Sequence, residues 1–432
     1  MHINVLSRTA ARAAVVLAWS TIAPAAAHAQ NVLEFEPLAS SAACTAGGDP
    51  AAPFVLPAGL QQTIFASEPA FPDLPDMNTL NETGFRAGEL LYRTHETTDN
   101  GAVTVTDLHS LQTFLLAQRS DWERFDGIVW TPWGTILAAE EAVLAGIRDP
   151  KFPRAEAGLV YEIFPGSGRA LARPAIGSRS HEGLRFDRQG NLYGISESSP
   201  PTGGYIYKFV PDEAGKLASG QLYVLKITHP TGDRIGRARW IPLDRSAVKV
   251  NSDVAATAAG ATGYGRPEDV ETVTSTGTTA GGRDILYVAI TSENRVLAID
   301  LQGTSDPHTT SVGAARAGSQ TAFVSDYVRA GLNAPVDFTA PDNLALDKAG
   351  NLFIAEDPGG TAPTKVLGDD IWVARPSPDD FGLASETVRF ASLTDCDAEP
   401  SGIYFPLRGS KLFVNVMHRG GDGRDLAVEI TE

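Results

Sequence analysis

The sequence predicts an all-β protein folded as a β-propeller, with six blades expected and five as the competing count. Three observations carry this. Gly (42) and Pro (28) are frequent and long amphipathic helical patterns are scarce, which favours a β architecture. One short pattern recurs: an acid, an apolar strand, a turn, a second apolar strand and a further acid. Its copies begin near Asp126, Glu182, Glu268, Asp342 and Ser401, too far apart for single hairpins but suited to sheets of three or four strands. Self-similarity of this kind marks a propeller or a solenoid. Ring closure leaves only short, protected edges, which selects the propeller.

The clearest copy runs from Pro341 to Pro358. Asp342 opens an apolar alternation through Leu344 and Leu346. Asp347 to Asn351 forms a turn, with Gly350 or Asn351 available for positive φ. Leu352 to Ala355 is the second strand, and it ends in Glu356 and Asp357. A hairpin brings its two ends together, so Asp342 meets the Glu356–Asp357 pair. Acids are poor strand formers, and their return at the same end of each hairpin needs a chemical reason.

In chain order, residues 1–29 read as an export signal. Arg8 and Arg12 form a basic start, Ala13 to Ala23 is apolar, and Ala27-His28-Ala29 is a small-x-small cleavage site. The two arginines are not adjacent, so a Sec-type route to the periplasm or the exterior is expected. Residues 30–85 read as an irregular N-terminal arm with one strand near Phe54-Val55-Leu56 or Thr63-Ile64-Phe65, and residues 86–432 as the propeller domain. The strand Gly88 to Glu96 opens the domain and residues 228–263 form a loop-like insertion. The last strand, Asp425 to Glu429, is placed to pair beside N-terminal structure. The two cysteines, Cys44 and Cys396, either bridge the arm to the last unit or stay as free thiols.

The formal net charge of −17 disfavours nucleic-acid binding, which needs a basic surface. No stretch after the signal is apolar enough to span a bilayer. An acidic balance is compatible with hard cations such as Ca²⁺ held by carboxylate oxygens. There is no G-x-S-x-G elbow, no Walker loop and no H-E-x-x-H helix.

In a propeller the hairpin ends converge on one mouth of the central channel. The candidates there are Glu96, Glu140, Glu141, Glu182, Glu197, Glu268, Glu271, Asp342, Glu356, Asp357, Glu399 and His418. Crowded carboxylates repel one another, and a cluster that stays ionised needs cations within it. Oxygen ligands suit Ca²⁺ or Mg²⁺, while His418, His95 and His181 would admit a transition metal. Arg266 precedes Glu268 by two. A guanidinium beside such a cluster either grips a phosphate or carboxylate substrate or offsets the acids.

Several segments stand in an order that resembles the PhoX-type alkaline phosphatases. They are Thr94-His95-Glu96, Thr131-Pro132-Trp133-Gly134-Thr135, His181-Glu182-Gly183, Arg266-Pro267-Glu268-Asp269, Pro341-Asp342-Asn343 and Leu412 to His418. The resemblance spans about residues 86–420. It implies a secreted propeller that hydrolyses phosphate monoesters, small-molecule substrates, at a cluster of calcium and iron. It implies Glu141, Glu182, Glu268 and Asp342 as metal ligands, Glu96 and Glu271 as further ones, and Arg266 as the phosphate-gripping residue. Glu356 joins the metal set from its hairpin position, and Arg266 and Glu271 form the expected catalytic pair. The family carries a cysteine thiolate ligand to iron where this chain has Ala139, which weighs against iron and leaves calcium as the expected ion. The alternative functions are a non-catalytic calcium-binding propeller and a calcium-dependent esterase or lactonase.

Overall fold

A computed structural model of the chain describes residues 32–141, 146–272, 283–301, 320–407, 410–421 and 423–432. The expected export signal lies outside the described residues. The architecture is all-β and propeller-like. Six strands line the axis: Pro75–Leu80, Phe125–Trp130, His181–Phe186, Pro267–Thr272, Pro341–Leu346 and Glu399–Tyr404. Each packs against the next, and the last packs against the first. They define units one to six.

From each inner strand the chain turns back into an antiparallel second strand and then a third. The outermost strand of unit six is Gln61–Ser67, which pairs with Leu426–Thr431. The ring is therefore closed by N-terminal chain, as the position of the last strand predicted. Among the described residues the sheets number five although the ring strands number six. Gly236–Pro242 pairs with the outer strands of units three and four and fuses them into one nine-stranded sheet.

The strand expected near Thr63-Ile64-Phe65 is present as Gln61–Ser67, and a second, Pro75–Leu80, also lies upstream of residue 86; both are ladder-paired. The segment 228–263 is more ordered than its polarity suggested. It contains the bridging strand and a short helix, Ser252–Ala258, whose N-terminus is capped by the Asn251 side chain accepting from the Asp253 and Val254 amides. Ala256 of that helix is buried.

The strand residues are apolar on both faces because each sheet is covered on both sides. In Leu352–Glu356, Phe353 and Ala355 pack toward Val414 and Val416 of unit six. Leu352 and Ile354 pack toward Tyr287 and Ala289 of unit four. Successive side chains point to opposite faces of a strand, so one strand serves two cores. Removing a ring such as Phe353 would cost about 3–5 kcal/mol. The hairpin turns follow the predicted chemistry. The Asp347 carboxylate accepts from the Ala349 and Asn351 amides at 2.8 and 2.9 Å, and Gly350 supplies φ +83.

The arm from residue 32 runs along units five and six. The Leu38 amide donates to the Arg389 carbonyl and the Cys44 amide to the Val366 carbonyl. Cys44 and Cys396 form a disulfide, which resolves the alternative left open by the sequence.

Candidate metal centre

The site is made by one local device, repeated around the ring. In units one to five the inner strand pairs through its first residue, then shifts register before its fourth. This is a β-bulge, which re-aims the side chain it carries. The bulged residue is Asp76, Asp126, Glu182, Glu268 and Asp342 in turn. In unit six Pro400 holds the corresponding place beside Glu399, and the shift comes later, after Ser401.

The residue before the inner strand completes the device. Leu74, Arg124, Arg266 and Ala340 have φ of +54, +41, +51 and +39, a left-handed conformation rare for L-residues. Their carbonyls accept from the amides of Glu96, Glu141, Thr291 and Asp357 at 3.0, 2.8, 3.0 and 3.0 Å. Ser180 does the same for Glu197 at 3.3 Å. Each hairpin is thus extended by one bond. A second tier of side chains, Glu96, Glu141, Glu197 and Asp357, is set beside the bulge acids. His418, at φ +60, follows the strand Leu412–Met417 in unit six.

Glycine lets the inner strands approach closely. A Cβ on Gly127 would stand 2.1 Å from the Glu182 carbonyl oxygen, and one on Gly183 would stand 1.8 Å from Asp269 Oδ1. Neighbouring bulge acids are crowded together in consequence. One carboxylate oxygen each from Asp76, Glu96 and Asp126 lies within 4.8 Å of the others, and Glu141, Glu182 and Glu197 form a second such group. Both groups line a cavity of about 150 Å³ that also takes in Glu268, Asp342, Asp357, Glu399, Arg124, Arg266 and His418.

Burial holds the carboxyls of Asp76, Asp126, Glu182, Glu268 and Asp342 well above the ordinary carboxylate range, and the negative charge of their neighbours adds to it. Glu141 is pushed to about 11 by burial and then by the facing Glu96. Glu399 rises by burial and through the charge of Asp357. Two arginines oppose this. Arg266 Nε lies 2.9 Å from Glu197 and its Nη2 lies 2.9 Å from Glu268. Arg124 lies 3.1 Å from Glu141 and 3.5 Å from Glu96. Asp76 Oδ2 is buried with no hydrogen-bond partner. An all-oxygen set of this kind, with an orphaned oxygen and mutually repelling charges, suits a hard cation such as Ca²⁺.

Of the predicted residues, the fold brings Glu96, Glu141, Glu182, Glu268, Asp342 and Arg266 to this cavity. It does not bring Glu356 or Glu271. Glu356 precedes Asp357 by one, so strand alternation turns it away, and its carboxylate accepts from the Thr339 amide at 2.7 Å. Glu271 lies further down the inner strand and is buried against Arg185 at 3.1 Å.

The remaining sequence candidates divide in the same way. Glu197, Asp357, Glu399 and His418 line the cavity. Glu140 is buried and accepts from the Leu159 and Glu123 amides. His95 bonds Thr104 and is pushed down to about 3 by burial. His181 bonds the Gly177 carbonyl within the core.

The sequence reading missed Asp76, Asp126 and Arg124 as site residues. Signals for all three were present. Pro75-Asp76 repeats Pro341-Asp342, and Arg124-Phe125-Asp126 repeats the Arg-x-acid order of Arg266-Pro267-Glu268.

A family model described as alkaline phosphatase PhoX matches residues 129–420. No curated protein matches the chain. Among solved structures, a gluconolactonase from Xanthomonas campestris is similar at 13% identity and a TM-score of 0.47, with 90% of this chain and 98% of that one covered. A virginiamycin B lyase from Staphylococcus aureus, solved with quinupristin, is similar at 11% identity and a TM-score of 0.44, covering 86% and 99%. The calcium structure of a Trichoderma reesei carbohydrate-active enzyme is similar at 11% and 0.43, covering 91% and 99%.

Proposed function

The chain belongs to the alkaline phosphatase PhoX family, and from that premise we propose that it is an exported, calcium-dependent phosphoric monoester hydrolase acting in the acid-lined cavity. The observation that carries the reading is the pairing of Arg266 with two carboxylates of the cluster, at 2.9 Å each. A guanidinium held there is aimed at whatever occupies the cavity. Its planar fork matches two oxygens of a phosphate.

The residues that would hold calcium are Asp76, Glu96 and Asp126 in one group and Glu141, Glu182 and Glu197 in the other, with Glu268 and Asp342 beside them. A cation there supplies charge that offsets the phosphate and polarises a phosphoryl oxygen. A cation held by Glu197 and Glu268 would compete for the carboxylates that pair with Arg266 and would leave the guanidinium free to donate to the substrate. Iron has no thiolate partner at Ala139, which is fully buried in the apolar cluster of Leu137, Val160 and Leu184. Glu271 and Glu356 act as buried structural acids in this scheme.

Export is supported by the Cys44–Cys396 bridge. No described helix is long and apolar enough to cross a membrane. Residues 1–29 are read as the segment removed on export.

The test is hydrolysis of an aryl phosphate by the purified protein, with calcium and with chelator, beside elemental analysis. Chelator-sensitive turnover with calcium and without iron is expected, and Arg266→Gln should lower kcat/KM by about 100-fold. Bound calcium with inert phosphate esters would return the protein to a binding propeller. Lactone hydrolysis beside inert phosphate esters would select the lactonase.

A further inference from the structure

We infer that Arg124 is a second anion-binding residue, and that the substrate phosphate sits between Arg124 and Arg266, over Glu141, Glu182 and Glu197. The inference rests on the phosphatase reading above and locates the substrate within that cavity.

Arg124 is the counterpart of Arg266 in the repeat. Both occupy the position just before an inner strand, in units two and four, and both are left-handed there, at φ +41 and +51. In both, the carbonyl bonds the first amide after the second strand, Glu141 for Arg124 and Thr291 for Arg266. Both guanidiniums reach an acid of their own unit and a second-tier acid of the preceding one. Arg266 takes Glu268 and Glu197, and Arg124 takes Glu141 and Glu96. Leu74 and Ala340 fill the same place in units one and five. The backbone device therefore needs no arginine, and the two guanidiniums call for a separate reason.

Their placement gives that reason. Units two and four flank unit three, whose acids are Glu182 and Glu197. Glu197 acts electrostatically on both arginines. An anion bound above the Glu141–Glu182–Glu197 group would have a guanidinium on either side. Both side chains line the cavity and both are partly open to it, at 30% and 44% exposure. Such a seat fits a tetrahedral dianion, which offers oxygens in several directions. A neutral lactone needs no second cationic arm. Were Arg124 only an offset for Glu96 and Glu141, its loss would strengthen cation binding and leave anion affinity untouched.

The experiment titrates inorganic phosphate into the calcium-loaded full protein by calorimetry, with calcium content and melting temperature measured on each sample. Arg124→Gln should bind phosphate about 10- to 100-fold more weakly than wild type, the loss typical of a charge-assisted pair, with bound calcium unchanged. Arg124→Lys should fall in between, because an ammonium keeps the charge without the fork, and it carries the test if the glutamine variant does not fold. Unchanged phosphate affinity in either folded variant, with Arg266→Gln impaired, would overturn the inference and leave the phosphatase reading standing. A wild-type protein that binds no phosphate would overturn both.

Discussion

The same six strands build two very different ends of one channel. At the end where they begin, ten described carboxylates line the cavity against two guanidiniums. At the end where they finish, Glu82, Asp187, Arg185 and Arg188 line one pocket with Trp130, Phe186 and Tyr404. The acids of the second end are internally satisfied. Glu82 accepts from Tyr404, and Asp187 accepts from the Gln189 and Asn191 amides. Below the mouth, Glu271 is likewise paired with Arg185. A protein able to neutralise acids this economically at one end has left them unbalanced at the other. The difference supports the proposal that a cation completes the mouth, and among the described residues the bulges that carry the acids lie on that side of the inner strands.

The largest expected effect breaks the comparison if it is absent. For carboxyls whose pKa is raised by folding, the stabilising proton is fully bound below the unfolded value, about 4, and is lost as pH rises through the folded value. Glu141, at about 11, and the bulge acids above their ordinary range set that window. Chelated protein should therefore lose melting temperature steadily from about pH 5 to pH 9. Calcium should remove the slope, adding about 3 kcal/mol per site at a hundredfold excess over Kd. A chelated protein as stable at pH 8 as the calcium-loaded one would show that the mouth needs no cation.

The second effect belongs to the balanced end. Glu271→Gln removes the carboxylate paired with buried Arg185 and leaves Asp269 as its neighbouring negative charge, which should cost about 3 kcal/mol. The loss should be the same with calcium and with chelator, and bound calcium should not change. A variant that instead sheds calcium would return Glu271 to the ligand set and erase the distinction between the two ends.

Why the sequence does not separate Glu271 and Glu356 from the acids of the cavity is a matter of register. Along an inner strand the acid that faces the cavity is the bulged one, and a bulge leaves no mark in the residue types around it. Glu268 and Glu271 are equally acidic, but only Glu268 lies between the paired residues Pro267 and Val270. Glu356 and Asp357 are adjacent, and the pairing of Glu356 with Pro341 decides which one turns inward. Hairpins, turns and closure by the final strand were legible because Asp-x-x-Gly-Asn turns and apolar runs act locally. Asp76 was hidden by an arm boundary drawn at composition rather than at pattern. The segment 228–263 was hidden by polarity that reflects an exposed bridging strand, in which alternate residues of Gly236–Pro242 are buried. The cysteine pairing rested on a separation of 352 residues that no local rule spans.

The smallest expected effect sharpens the contrast by touching only backbone. Gly190 sits at φ +80 in the turn after the inner strand of unit three, and a Cβ there would meet nothing within 4 Å. Gly190→Ala therefore adds no clash and removes no contact. It asks an L-residue to hold a left-handed conformation, at a cost of about 1–2 kcal/mol. Because the turn lies at the far end of the hairpin from Glu182, calcium affinity should match wild type while the melting temperature falls slightly in both calcium and chelator. A Gly190→Ala protein with weakened calcium binding would mean that strain at one end of the strand reaches the bulge at the other. The two ends would then be one mechanical unit rather than two independently balanced ones.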